Sequence, residues 1–174
     1  RQNIPTGGDA TQFGTLSQGL YMGGGAGGAS PTRGFFFGGR LSPSGVVNNI
    51  EFVTFASGGA ATKFGDLTVA RRAIAAVTNN TRAVSCSGDT PATNTMDFIT
   101  MASEGNATDF GDITNQAAGY GAGGSSATRG LIAGCSPDNN NRIDYITIAS
   151  TGDAVDFGDT TYKSYICGAC SDSH

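Results

Sequence analysis

Three observations predict an all-β chain made of repeated four-stranded units. Three sequence markers recur in constant order at a period of about 47 residues. Each unit breaks into four short β-prone segments separated by Gly, Ser, Asn and Pro. No stretch sustains the 3.6-residue periodicity of an amphipathic helix.

The first marker is a Phe-Gly refrain: Phe13-Gly14-Thr15, Phe64-Gly65-Asp66, Phe110-Gly111-Asp112 and Phe157-Gly158-Asp159, at spacings of 51, 46 and 47 residues. The second is Thr32-Arg33-Gly34, Thr81-Arg82-Ala83 and Thr128-Arg129-Gly130, spaced 49 and 47. The third is the segment IEFVTFAS from Ile50, MDFITMAS from Met96 and IDYITIAS from Ile143, spaced 46 and 47. The whole of 1–174 is therefore one repeat domain, with units of roughly 1–49, 50–95, 96–142 and 143–174, about 3.7 repeats in all.

Within a unit the order is a Gly/Ala-rich strand such as AIAAVTN, then TRAVSCSG, a variable loop, MDFITMAS, the turn EGN, and finally ATDFGDIT. In IEFVTFAS, Ile50 and Phe52 point to one side while Val53 and Phe55 point to the other, so both faces are apolar. A strand covered on both faces, in a four-stranded unit of this length, suits the blade of a β-propeller packed between two neighbours. A parallel β-helix is the competing architecture, but its coils are usually shorter.

The chain begins at Arg1 and breaks off at ACSDSH, and its two ends leave a gap of about one Thr-Arg strand plus its loop. The expectation is a partial view of a longer array, or a ring completed by another subunit. The first residues lack the basic start and apolar core of a secretory leader, and no run of about 18 apolar residues is present. With 14% charged residues and a net charge of −4, the chain has no basic footprint for nucleic acid, and membrane insertion is not expected.

The refrain reads as architecture. Phe13, Phe64, Phe110 and Phe157 are expected to fill the space between blades, with the following glycine allowing a close approach. Asp66, Asp112 and Asp159 recur once per unit at a similar distance from Arg33, Arg82 and Arg129, which suggests an arginine fork on a carboxylate across a blade boundary. A ring of these acids around a cation is the alternative, but Thr15 breaks the ring and hard cations need six or more converging oxygens.

Other motifs carry less. GGGAGG at Gly23 to Gly28 fits a dinucleotide pattern but lacks its context, and reads as a glycine linker. SPDNNNRID starts like a calcium loop at Asp138, yet Arg142 and Ala149 stand at ligand positions, so it reads as an exposed tip. Cys167, Cys170 and His174 have a C-x2-C-x3-H spacing that Cys135 or Cys86 could complete as a zinc site, but Cys167 and Cys170 occupy repeat positions filled by Ile74 and Val77 and read as small hydrophobes. His174 is the single histidine, and no pair of carboxylates is set apart from the repeat. Neither catalysis nor a cofactor is expected. Tyr21, Tyr120 and Tyr165, in the Gly/Ala-rich strands, are the candidates for glycan binding. The sequons at Asn79 and Asn106 are short enough to arise by chance.

Several segments resemble the kelch family. TRGFFFGG and TRGLIAGC look like the kelch strand that ends in a double glycine, IEFVTF and IDYITI look like the next strand, and DFGD stands where kelch carries an aromatic before the blade ends. Trp is absent, and the double glycine survives only at Gly38-Gly39. A nearer resemblance, carried by IDYITIASTGDAVDFGDTT and ACSDSH, is to the Phe-Gly-Asp-containing kelch-like repeats of phage and other viral structural and tail-associated proteins. That resemblance implies a kelch-like propeller on a virion surface, tail or fibre, partnered by other virion or assembly subunits, as a homo-oligomer, with a host-surface receptor or glycan as a further partner. The variable loops GGGAGGASP, LSPSGVVNN, SGDTPATN and CSPDNNNR are where a partner would be read. The rivals are a secreted or cell-surface glycan-binding propeller and the subunit of an extracellular filament.

Overall fold

The fold was analysed in a computed structural model, which describes residues 9–21, 27–43, 45–114, 119–134, 141–162 and 168–169. All regular structure among them is β, and none of it forms a helix long and apolar enough to cross a membrane. Among the described residues thirteen strands form three antiparallel sheets.

The first sheet holds β1 (Leu20–Tyr21), β2 (Gly27–Ala29), β3 (Arg33–Leu41), β4 (Gly45–Thr54) and β5 (Thr62–Asp66). Its order is β1-β3-β4-β5; β2 also pairs β3, so β1 and β2 share one edge as two pieces of a single lane. The second sheet is β6 (Ala75–Thr78), β7 (Arg82–Gly88), β8 (Thr93–Thr100) and β9 (Thr108–Asp112), in sequence order. The third repeats it with β10 (Ala122–Ser125), β11 (Arg129–Ala133), β12 (Arg142–Thr147) and β13 (Val155–Asp159). Each is a meander that begins with the Gly/Ala-rich strand and closes with the Phe-Gly refrain. The breaks between sheets therefore fall after the refrain.

The sheets stack face to face in chain order. Each has a leading face, toward the sheet before it, and a trailing face, toward the sheet after it. Strand alternation assigns β8 to both: Met96 and Phe98 point to the trailing side, Asp97 and Ile99 to the leading side. The core between the first two sheets joins Phe35, Phe37, Ile50, Phe52 and Phe64 to Ala83, Ile99 and Met101. The next core joins Val84, Cys86, Met96 and Phe110 to Ile132, Ile146 and Ile148. Each buried aliphatic or aromatic side chain contributes about 1.5–3 kcal/mol of transfer free energy.

Two sequence expectations change. The GGGAGG run is not all linker, because Gly27 and Gly28 belong to β2, where a Cβ on Gly28 would press on Thr78 and Ala83 of the second sheet at 3.0 and 3.1 Å. Glycine there lets the sheets approach. The loop expected at LSPSGVVNN is shorter, since Val46 and Val47 pair with Arg40 and Gly39 inside β4. Gly and Asn have low strand propensity, and cross-strand pairing overrides it.

Candidate functional site

What repeats most closely is the joint between successive sheets. Its first part is an aromatic stack within each sheet. The refrain phenylalanine meets the aromatic of the third strand edge-on, Phe64 with Phe52, Phe110 with Phe98 and Phe157 with Tyr145, each at a centroid distance of 6.0 Å. Over that aromatic lies the arginine of the second marker: Arg33 over Phe52 and Arg82 over Phe98 at 4.5 Å, Arg129 over Tyr145 at 5.0 Å. The guanidinium then reaches forward to backbone carbonyls. Arg33 donates to Met101 O at 3.4 Å, and Arg82 to Ala149 O at 2.8 Å and Ile148 O at 3.4 Å.

The arginines and the refrain acids are therefore not each other's partners among the described residues. Asp66 pairs with Lys63 at 2.9 Å, while Asp112 and Asp159 are exposed. The reason is reach: a guanidinium seated on the third-strand aromatic already meets the turn of the next sheet. What the refrain contributes is its backbone. Phe64 O and Asp66 O accept from Gly105 N and Ala107 N, Phe110 O and Asp112 O from Gly152 N and Ala154 N, and Phe13 O and Thr15 O from Gly59 N and Ala61 N, all between 2.7 and 3.0 Å. The side chains of Asn106 and Asp153 then accept from the backbone N–H of Asp66 and Asp112, at 3.1 and 3.0 Å. The refrain glycine is required by this crossing. At Gly111, with φ +135°, a Cβ would lie 2.6 Å from the carbonyl carbon of Gly152.

The second part of the joint was not singled out from the sequence. Glu51, Asp97 and Asp144, the acids of the third marker, are 4%, 1% and 5% exposed. Each accepts the backbone N–H and the hydroxyl of the residue that ends the preceding refrain. Thr68 donates to Asp97 at 3.2 Å from N and 2.6 Å from Oγ1, and Thr114 to Asp144 at 3.1 and 2.7 Å. Ser17 donates to Glu51 in the same way, with an N–H bond of 3.1 Å and a hydroxyl bond. The signal was present: an acid in a strand apolar on both faces, in every repeat, must have a partner.

Between the first two sheets the clasp gains a buried cation. Arg71 is fully buried, donates to Asp97 at 2.9 Å and to Ser85 Oγ at 3.0 Å, and its backbone is bonded to Gly39 and Val47 of the first sheet. Its main chain belongs to one sheet and its charge to the next. A second ion pair, Arg72 with Asp89 at 2.6 Å, closes the same junction nearer the surface.

The other candidates do not converge. Tyr21 lies in β1 opposite Arg40; Tyr120 is half-buried at φ +63°, with its N–H bonded to Ala73 O at 2.7 Å; Tyr165 lies outside the described residues. Cys167, Cys170 and His174, with Cys135 and Asp138, also lie outside them, and Cys86 is buried in the second core. Among the described residues no group of three metal-ligating side chains comes together. Asn79 is buried, its Oδ1 accepting from Thr81 and Arg82, whereas Asn106 is exposed. Two clefts of about 150 and 250 Å³ sit at equivalent places, where Phe64 meets Ser103 to Asn106 and where Phe13 meets Ser57 to Gly59. Both are smaller than the roughly 300–1,000 Å³ of a ligand pocket. No family model matches the chain, and a search of curated proteins finds no match.

Proposed function

We propose that the chain is a non-enzymatic interaction module, a kelch-like β-propeller of a virion surface, tail or fibre, that binds its partner through the hairpin loops of its sheets. The observation that carries this reading is how the repeated polar residues are used. Asp97, Asp144, Arg33 and Arg82 are committed to contacts between sheets, and Glu51 to the equivalent contact with Ser17 of the refrain segment before the first sheet, so the chemistry of the repeat is assembly. The stretch between the second and third strands of each sheet, residues 42–44, 89–92 and 134–141, differs in length and sequence from unit to unit, and variable segments on a rigid scaffold are where recognition evolves. The viral assignment is supported by the resemblance of the repeat to phage and other viral structural proteins.

The test has two arms. Purified particles from the source should contain the chain among their structural proteins, and brief protease treatment of intact particles should cut within 89–92. Absence of the chain from the particles would remove the virion assignment. Replacement of 90–92 by a Gly-Ser loop of equal length, which spares the pair between Asp89 and Arg72, should abolish adsorption of particles to host cells while leaving the melting temperature unchanged. Full adsorption would refute the loops as the recognition surface.

A further inference from the structure

Two buried polar atoms at the junction of the first two sheets are left unpaired by the protein. Among the described residues Arg71 Nε and Ser87 Oγ are enclosed and meet no hydrogen-bond partner, and both residues are 0% exposed. A buried polar group without a partner costs free energy, so such atoms in a folded protein require an explanation.

The two belong to one place. The stem of Arg71 crosses the bulge in β7: a Cβ on Gly88 would lie 2.6 Å from Arg71 Cδ, the carbon that carries Nε, and Ser87 is the residue before Gly88. The other nitrogens of the guanidinium are occupied. Nη1 donates to Asp97 at 2.9 Å and Nη2 to Ser85 Oγ at 3.0 Å, and the Ser85 hydroxyl donates in turn to Asp97 O at 3.3 Å. Ser85 thus serves the end of the guanidinium and leaves Nε to another acceptor.

The repeat itself does not call for a hydroxyl at the bulge. Ser87 stands where the first and third sheets carry Gly38 and Gly134, and all three share a left-handed backbone, with φ of +56° at Ser87, +55° at Gly38 and +69° at Gly134. Serine is strained at such a φ where glycine is not. Ser85 likewise replaces Phe36 and Ile132, and Arg71 replaces Met22 and Ala118. Three polar side chains have entered one junction together, one of them against backbone preference, and two of the three keep an atom that the protein does not pair.

We propose that one water molecule is built into this junction, accepting a hydrogen bond from the Arg71 Nε–H and bonded to the Ser87 hydroxyl. Water fits this site better than an ion. Arg71 and Asp97 already neutralise each other, so an added anion would bring a buried charge without a counter-charge, at a large desolvation cost. A cation is opposed by the guanidinium itself. A water accepts from Nε and either donates to or accepts from the hydroxyl, which rotates to suit. The junction of the first two sheets then differs in chemistry from that of the second and third, where Ile132 and Gly134 stand at the same positions. The inference concerns the joint and is independent of which partner the loops bind.

The test is a high-resolution crystal structure of the full chain, with a bromide soak, together with urea denaturation of one variant. A water within about 2.7–3.2 Å of both Arg71 Nε and Ser87 Oγ, with no anomalous signal from bromide there, is expected. Ser87→Ala removes the hydroxyl and keeps the backbone strain. If the hydroxyl holds a water, its loss lowers the urea midpoint; if it is simply unpaired, its removal raises the midpoint. A midpoint unchanged or raised would overturn the inference. So would a bromide peak at the site, or crystals in which Nε and Ser87 Oγ bond to each other or to protein atoms alone. None of these failures touches the adsorption experiment, which reads residues 90–92.

Discussion

Thr68 donates both its backbone N–H and its hydroxyl to the carboxylate of Asp97, at 3.2 and 2.6 Å, from the end of one sheet into the buried face of the next. The same pair recurs as Thr114 with Asp144. The Asp97 carboxylate accepts three hydrogen bonds, two from Thr68 and one from the Arg71 guanidinium, and so can be buried; a carboxylate that loses such bonds cannot.

Asp97→Ala is therefore expected to be the most damaging single change at the first junction. It leaves the fully buried Arg71 without its charge partner, a loss of about 3–5 kcal/mol. Urea denaturation should show it against Asp156→Ala, which removes an exposed contact to Arg142 at 3.6 Å and should cost under about 1 kcal/mol. Equal losses in the two variants would refute the buried clasp.

The two copies of one refrain residue should behave differently. Phe110→Ala empties a site that is 2% exposed and should cost about 3–5 kcal/mol, whereas Phe157→Ala, in dilute protein, should cost under about 1 kcal/mol. The comparison needs only two melting curves at low concentration. Comparable destabilisation would mean that the trailing face of the third sheet is covered.

Asp112→Ala should leave stability within about 0.5 kcal/mol, because the joint uses the backbone of Asp112 and its side chain is exposed. Asp153→Ala should cost more, about 1 kcal/mol, since the Asp153 carboxylate accepts from the Asp112 N–H at 3.0 Å. A larger loss for Asp112→Ala than for Asp153→Ala would restore a side-chain role to the refrain acid.

Arg82→Lys should not rescue Arg82→Met. The planar guanidinium lies on the Phe98 ring and also donates to Ala149 O, a combination that a lysine ammonium meets poorly. A loss of about 1 kcal/mol is expected for both variants, together with a coupling to Phe98→Leu of about 0.5–1 kcal/mol in a double-mutant cycle. Full recovery with lysine would show that charge alone matters.

Much of the fold could be read in advance. The period and the four β segments per unit were legible because they are local: alternation of apolar residues, turn residues at fixed offsets, and three markers repeating together. The MDFITMAS segment became β8 and the DFGD segment became β9, as their patterns predicted. The candidate site was legible in part. Phe64 and Phe110 lie in the packing between sheets, Arg33 and Arg82 reach backbone carbonyls of the next sheet and not the refrain acids, and Glu51, Asp97 and Asp144 were read only as part of an apolar strand. Arg71, beside Arg72, has no arginine counterpart one repeat away, so periodicity could not mark it.

By itself the sequence determined an all-β chain of repeating four-stranded units in a known order, since strand period and turn chemistry act within a few residues. Only the tertiary structure decided what each repeated charge does. Thr68 and Asp97 are 29 residues apart in the chain, and Arg82 and Ala149 are 67 apart, so their contacts exist only once sheets are stacked. The same stacking separates Phe110 from Phe157. Their local sequences are nearly identical, and what distinguishes them among the described residues is that Phe110 is covered by the next sheet while Phe157 is exposed.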